Sequence, residues 1–277
     1  MIYIITAVHN RFSITEKFVK NLIKQTYKDF KLILVDDGST DGTSEMVLSY
    51  LPDSVIIRGN GNLWWGGALH KAYKWVLKNT TDEQNDDFVL FANDDTDFDE
   101  SYIEKAISIL NSREKTLLTG CGISRQTGKL VDASVTVDFN RLTKTTKSIG
   151  FGNCASTRSL FFKVGDFKKI GGFHPVLLPH YGSDYEWTIR ACRKYGYSVF
   201  CDESLKYFAD ETTTGNNFYD KMTLKQLFSK RSVSNPFYKI NYIFLITPFS
   251  DLVKSLSQQI GRYFKKLSLF VTISKRK

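Results

Sequence analysis

The sequence predicts an α/β protein built on a mostly parallel sheet flanked by helices. Two observations carry this. In the first half of the chain, short apolar runs alternate with amphipathic stretches in β-α-β-α-β-α-β order, which favours parallel strands joined by right-handed crossovers. Two of the apolar runs also stop abruptly in carboxylates. Leu32-Ile33-Leu34-Val35 leads into Asp36-Asp37-Gly38-Ser39-Thr40-Asp41, and Phe88-Val89-Leu90-Phe91-Ala92 into Asn93-Asp94-Asp95-Thr96-Asp97. Ligands of open α/β sheets bind beyond the carboxyl ends of the strands. Two acidic strand ends therefore place several carboxylates at one crevice, where a divalent cation and ligand donors would relieve their repulsion.

The elements follow in order. Ile2 to Val8 reads as a strand, and Ser13 to Gln25 as an amphipathic helix with Phe18, Leu22 and Ile23 on one face. Phe30 to Val35 is the second strand. Ser44 to Leu51 is a helix that starts after the Asp41-Gly42-Thr43 turn and stops at Pro52. Ser54 to Arg58 is a strand, Leu69 to Lys78 a helix, Phe88 to Ala92 a strand and Asp99 to Leu110 a helix. Beyond Leu117 the strands shorten and mix: Thr116 to Cys121, Val131 to Val137 and Ser159 to Val164. A helix at Tyr185 to Tyr195 leads to a strand at Ser198 to Cys201. Residues 1–118 read as one half of a single domain, 119–218 as a second half packed on the same sheet that covers the crevice and holds a second substrate, and 219–277 as a basic helical tail.

The charge is uneven. The 277 residues carry a net +9, yet residues 219–277 hold 12 Lys and Arg against 2 Asp, so the body is nearly neutral. A basic tail on a neutral body points to an anionic surface. From Asp251 to Val271, Leu252, Leu256, Ile260, Phe264 and Leu267 recur at helical spacing among Lys254, Arg262, Lys265 and Lys266. Such a basic amphipathic helix either lies in a membrane interface or packs on the protein or a second subunit. The apolar stretch Ile240 to Phe249 is too short to span a bilayer. The strand-like Ile2-Tyr3-Ile4-Ile5 leaves no place for a signal peptide. Cys121, Cys154, Cys192 and Cys201 form neither a CxxC pair nor zinc spacing, which suits a reducing compartment.

Four landmarks in order carry a family resemblance: Ala7-Val8-His9-Asn10-Arg11, Val35-Asp36-Asp37-Gly38-Ser39-Thr40-Asp41, Asn93-Asp94-Asp95, and Gly182-Ser183-Asp184-Tyr185-Glu186-Trp187. With them goes the Gly171-Gly172-Phe173 turn. Over about residues 1–210 the chain resembles the family 2 inverting glycosyltransferases of the GT-A fold, and faintly their rhamnosyltransferase-like members.

The resemblance implies roles. Asp37 accepts the imide N3–H of uracil or thymine, so the donor is a UDP- or dTDP-sugar. Ala7, His9, Asn10, Arg11, Asp36, Gly66, Gly67, Asn93 and Asp94 line the nucleotide-sugar site. Asn93-Asp94-Asp95 stands for the DxD motif with Asn in its first place, and Asp95 holds Mg²⁺ or Mn²⁺ on the diphosphate. Where relatives carry a His after the last strand this chain has Asp210, a second metal contact. Asp184 is the general base that takes a proton from the acceptor hydroxyl; the bland alternative makes it a helix cap. Trp64, Trp65, Tyr185 and Glu186 belong to the acceptor site.

The expected function is inverting transfer of a sugar to a hydroxyl of a glycan or lipid-linked acceptor in surface polysaccharide synthesis. The expected place is the cytoplasmic face of a membrane, held there by the tail, with no nucleic-acid partner and a homodimer allowed. Two rivals rank lower. A nucleotidyltransferase would need a Gly-rich loop after the first strand, and Ala7-Val8-His9-Asn10-Arg11 lacks one. A non-catalytic scaffold of the same fold would have no need of Asp37, Asp95 and Asp184 together.

Overall fold

The computed structural model describes residues 1–138, 145–210, 224–230, 232–258 and 260–261. Its first half is β1 (Ile2–Val8), α1 (Phe12–Lys24), β2 (Phe30–Asp36), α2 (Thr43–Tyr50), β3 (Val55–Arg58), α3 (Trp64–Asn79), β4 (Phe88–Ala92), β5 (Thr96–Phe98) and α4 (Tyr102–Asn111). The second is β6 (Thr116–Ser124), β7 (Leu130–Asp132), β8 (Ser134–Val137), β9 (Thr145–Ser148), β10 (Gly150–Gly152), β11 (Ser159–Lys163), α5 (Val164–Ile170), α6 (Ser183–Tyr195) and β12 (Ser198–Ala209). Short α7 (Leu224–Leu227) and α8 (Pro236–Ile246) follow, with further helix over 249–258.

One large sheet runs in the order β10-β12-β6-β11-β4-β1-β2-β3, with β5 added to β12 and β7 to β6. β3, β2, β1 and β4 are mutually parallel, as are β6 and β12, whereas β11 runs antiparallel between β4 and β6. The sheet is thus mixed and mostly parallel, as expected. It gathers the carboxyl ends of β1, β2, β4, β6 and β12 and the start of β11 along one edge.

Alternation within the strands divides the core. Ile2, Ile4 and Val8 of β1 pack with Phe18, Leu22, Met46, Tyr102 and Ile103 from α1, α2 and α4. Tyr3 and Ile5 face the other way, towards Leu69, Ala72 and Val76 of α3, Phe167 of α5 and Trp187 of α6. Side chains of period two on a strand meeting stripes of period 3.6 on helices make this two-sided burial possible. Phe173 stacks on Trp187 with ring centroids 5.8 Å apart, and the indole N–H donates to the Gly171 carbonyl at 2.7 Å, so the Gly171-Gly172-Phe173 turn is fixed to α6.

Four local expectations change. α3 begins at Trp64, not Leu69, so the Gly-rich segment is partly its first turn. β12 continues to Ala209 because its second half pairs with β5 and with the end of β6. α8 is a helix of the folded body. Asn235 caps it by accepting from the Phe237 N–H at 3.0 Å, Pro236 takes its first turn, and Ile243 and Ile246 are buried against α6. Cys121 and Cys201, distant in sequence, bring their free thiols within 3.0 Å across β6 and β12. Of the tail residues singled out in the sequence, Arg262, Phe264, Lys265, Lys266 and Leu267 lie outside the described residues. Among the described residues no helix is long and apolar enough to cross a membrane.

Candidate active site

The loops after β1 and β2 lock together. Asn10, with φ 52°, takes a left-handed turn; its backbone N–H donates to Ser39 Oγ at 2.9 Å and its Oδ1 accepts from the Thr40 N–H at 2.8 Å. His9 Nδ1 donates to the Asp37 carbonyl at 2.7 Å. Ala7 pairs with Val35 inside the sheet, partly buried. Asp36 is buried and fully used: it accepts from the Ser39 N–H at 2.7 Å and from the Ser44 hydroxyl, with Arg58 at 3.8 Å. Against the penalty of burial, those hydrogen bonds and Arg58 hold its carboxyl below the usual range. Asp36, expected on the nucleotide, staples the start of α2 in the fold.

Asp37 turns to the segment after β3. Its Oδ1 accepts from the Gly61 N–H at 2.9 Å, and its Oδ2 from those of Leu63 at 2.8 Å and Trp64 at 3.1 Å. An ionised carboxylate offers about four acceptor sites, so roughly one remains for a ligand. The approach is close: a Cβ on Gly59 would lie 2.4 Å from Asp37 Oδ1, so glycine is required there. Asp37 is therefore the organiser of the Gly59–Trp64 loop, whatever it also recognises.

The DxD-like segment is tied to α1. Asp94 is buried, its Oδ2 accepting from Arg11 Nε and Thr15 Oγ1, each at 2.9 Å. Burial pushes its carboxyl up despite Arg11. Asp94, expected in the nucleotide-sugar site, is engaged by these internal partners. Arg11 Nη2 also reaches Asp95 Oδ2 at 3.4 Å. Asn93 is held by its backbone, its N–H donating to the Arg158 carbonyl at 3.0 Å. β5 pairs Thr96 with Ala209, so one further antiparallel step sets Asp95 opposite Asp210. Gln126 Nε2 donates to Asp210 Oδ1 at 2.6 Å.

A hard divalent cation fits a pair of this kind, since Mg²⁺ and its like take one or two carboxylates and fill the remaining sites with phosphate oxygens and water. Among the described residues no group of three or more His, Cys, Asp or Glu is placed to hold a metal. A cation here would depend on the ligand's own oxygens.

The base candidate stands at the start of α6. Gly182, with φ 82°, is the N-cap residue; Asp184 lies inside the first turn and makes no cap hydrogen bond. The cap alternative for Asp184 therefore fails. Its Oδ1 accepts the adjacent Tyr185 N–H at 2.9 Å, and no other residue among those described donates to it. Burial, aided by nearby Asp132, pushes its carboxyl from 3.8 up to about 6. Tyr185 beside it and Tyr242 of α8 both pack against the buried cluster that includes Ile189 and Ile246.

Glu186 is turned to Arg190 of the same helix. It is 2% exposed and binds Arg190 through Nε at 2.8 Å and Nη2 at 3.2 Å. Arg190 also donates to the carbonyls of Ile170 at 2.6 Å and Gly172 at 2.7 Å. Glu186, expected at the acceptor site, thus forms with Arg190 a clasp on the Gly171-Gly172 turn, and two residues along a helix rotate its side chain away from that of Asp184. Gly66 and Gly67, expected to line the donor site, are buried in α3. A Cβ on Gly66 would lie 2.5 Å from the Leu178 carbonyl and 3.0 Å from Ser183 Cβ, so this glycine lets α3 approach the turn that delivers Asp184. Trp64, at φ 59°, donates to Asn62 Oδ1 at 3.1 Å and lies 5.6 Å from the His180 ring. Trp65 donates from Nε1 to Thr157 Oγ1 at 2.7 Å. Each indole stays half-buried.

β7 and the segment before β11 supply residues that the sequence reading missed. Asp132 is buried, accepting from the hydroxyls of Ser156 and, at 2.7 Å, Tyr207. Arg158 is half-buried; burial opposes its charge, but the nearby carboxylates Asp132, Asp95 and Asp184 favour the ionised guanidinium. A lone Arg between Thr157 and Ser159 has no pattern that marks it in one sequence.

Three comparisons bear on this geometry. The model of the family described as "Glycosyl transferase family 2" matches residues 3–166. An uncharacterized glycosyltransferase of Rickettsia typhi is 31% identical over 123 residues, which is 44% of this chain and 36% of that relative, so the match spans about a third of the relative's length. Among solved structures, S. aureus TarS in complex with UDP-GlcNAc superposes with a TM-score of 0.61 at 15% identity, covering 95% of this chain and 72% of that one. A mannosyltransferase of Pyrobaculum calidifontis in complex with GDP-Man and Mn²⁺ gives 0.56 at 13% identity, covering 99% and 80%. Both structures share the fold.

Proposed function

The chain belongs to glycosyl transferase family 2, and from that premise we propose that it moves a sugar, with inversion, from a nucleoside diphosphate donor to a hydroxyl of a glycan or lipid-linked acceptor. The observation that carries the reading is Asp184. It is a carboxylate raised to about 6 at the crevice edge, with one backbone hydrogen bond and no cap duty. A base of that strength is mostly ionised at neutral pH and still takes a proton as the bond to carbon forms.

The donor would lie along the carboxyl edge of the sheet. Its base would meet the acceptor site left on Asp37, which suits the imide of uracil or thymine. A divalent cation between Asp95 and Asp210 would neutralise diphosphate charge. The acceptor hydroxyl would approach Asp184 past Tyr185 and the Trp64–Trp65 pair, whose flat faces suit a sugar.

A membrane surface is the proposed location. α8 exposes Phe237, Ile240 and Phe244 along one side, Phe249 and Val253 follow, and the last residues are strongly basic. Exposed aromatics beside Lys and Arg match an anionic interface.

The test is a thermal-shift and hydrolysis screen of UDP-, dTDP- and GDP-sugars with and without Mn²⁺. UDP- or dTDP-sugars should stabilise the protein in Mn²⁺ and be slowly hydrolysed. Stabilisation by none of them would overturn the reading, and a preference for GDP-sugars would overturn the role of Asp37.

A further inference from the structure

We propose that Arg158 is the leaving-group residue of this site, binding the donor's diphosphate and taking up the charge that grows on it as the sugar departs. The inference rests on the glycosyl-transfer reading above and adds to it a cation that no motif marks.

Position comes first. Ser159 pairs with Ala92, and the Arg158 carbonyl accepts the Asn93 N–H at 3.0 Å, so Arg158 is the first residue outside the sheet beside the strand end that bears Asp94 and Asp95. Its guanidinium lies within electrostatic reach of both Asp95, the expected metal ligand, and Asp184, the expected base.

Commitment comes second. The other arginines near the edge are in use: Arg11 on Asp94 and Asp95, Arg58 on Glu45, Arg125 on Asp97, and Arg190 on Glu186. Among the described residues Arg158 forms no ion pair within 4.0 Å, although three carboxylates act on it electrostatically. Asp132, one of the three, already accepts from Tyr207 and Ser156. A half-buried guanidinium without a contact partner is costly, and an arriving phosphate removes that cost with two parallel N–H···O bonds.

The chemistry balances without another reagent. The bond from the anomeric carbon to the diphosphate oxygen breaks and its electron pair stays on that oxygen, which gains one negative charge. The acceptor oxygen bonds to the anomeric carbon and its proton passes to Asp184. Arg158 stays protonated throughout, so its part is electrostatic, stronger in the transition state than in the ground state.

The experiment titrates the full chain and its Arg158→Gln and Arg158→Lys variants with UDP and uridine in Mn²⁺, repeated with dTDP and thymidine. Alongside, it measures kcat and KM for the donor that the wild type uses. Arg158→Gln should weaken the diphosphate by roughly 10- to 100-fold, the range of a lost charge-assisted contact, and leave the nucleoside unchanged. Arg158→Lys should recover part of the loss, and kcat should fall by a larger factor than KM rises. Equal loss of diphosphate and nucleoside, with a lower melting temperature, would show a structural residue and overturn the inference, as would unchanged diphosphate affinity in Arg158→Gln. Failure of the wild type to bind any nucleoside diphosphate would instead remove the glycosyl-transfer reading, and this inference with it.

Discussion

Replacing Asp184 by Asn tests the proposed base, because function and stability should move in opposite directions. Asn keeps the size and the acceptor oxygen that meets the Tyr185 N–H at 2.9 Å. It cannot take a proton at neutral pH, so transfer should fall by roughly 10²–10⁴-fold while donor binding survives. The stability effect follows from the shift of the carboxyl from 3.8 to about 6. The folded state holds this proton more tightly than the unfolded chain does. The ionised group therefore destabilises the fold progressively as pH rises through the interval between the two values, and fully above about 6. At 1.36 kcal/mol per tenfold the cost at pH 7.5 is at most about 3 kcal/mol, and about 1–3 kcal/mol after allowing for solvent at the crevice mouth. Asp184→Asn should thus raise Tm at pH 7.5 by several degrees, at about 2–4 °C per kcal/mol. The gain should shrink to about 0.5 kcal/mol near pH 4, where the folded-state carboxyl is protonated and the unfolded-state one is roughly half ionised. Calorimetry at the two pH values reads this directly. In parallel, wild-type kcat/KM for the acceptor should drop about tenfold between pH 7 and pH 5, as expected of a base of this strength. A variant that turns over near the wild-type rate, or one less stable at pH 7.5, would refute the reasoning.

Other consequences are as concrete. Asp95→Ala should abolish Mn²⁺-dependent stabilisation by the donor without lowering the Tm of the ligand-free protein; unchanged affinity in Mn²⁺ removes the metal assignment. Asp37→Ala frees three backbone N–H groups and should cost about 2–4 kcal/mol, seen as a lower Tm and earlier proteolysis near residues 59–64. An unchanged Tm with altered base preference would make Asp37 a recognition residue alone. Arg190→Met leaves buried Glu186 without its partner and should cost about 3–5 kcal/mol, measured by urea denaturation; a cost under 1 kcal/mol would show that the clasp is dispensable. Deleting residues 251–277 while keeping α8 should release the protein from acidic vesicles at low salt, each Lys or Arg contributing about 1 kcal/mol near the surface. No flotation by the full chain would reject the membrane location.

By itself the sequence determined the fold class, the strands that end in Asp36-Asp37 and Asn93-Asp94-Asp95, and the place of Asp184 at a helix start. These are local signals: apolar runs of strand length, helical periodicity and turn residues all act over a few neighbours. The start of α8 was also written locally in Asn235-Pro236, yet an apolar stretch there reads equally as core or as surface until its packing partner is known. Only the tertiary structure decided which carboxylates are left for chemistry. Asp37 spends its oxygens on N–H groups 24 to 27 residues away, and Asp94 is held by Arg11 from 83 residues away. Glu186, two residues from Asp184, is turned to Arg190, whereas Asp184 is left with one hydrogen bond and a raised pKa. Arg158 gains its meaning only because β11 inserts antiparallel beside β4. A side chain's protonation and availability depend on desolvation and on partners that folding brings together, and neither is encoded in the residues adjacent to it.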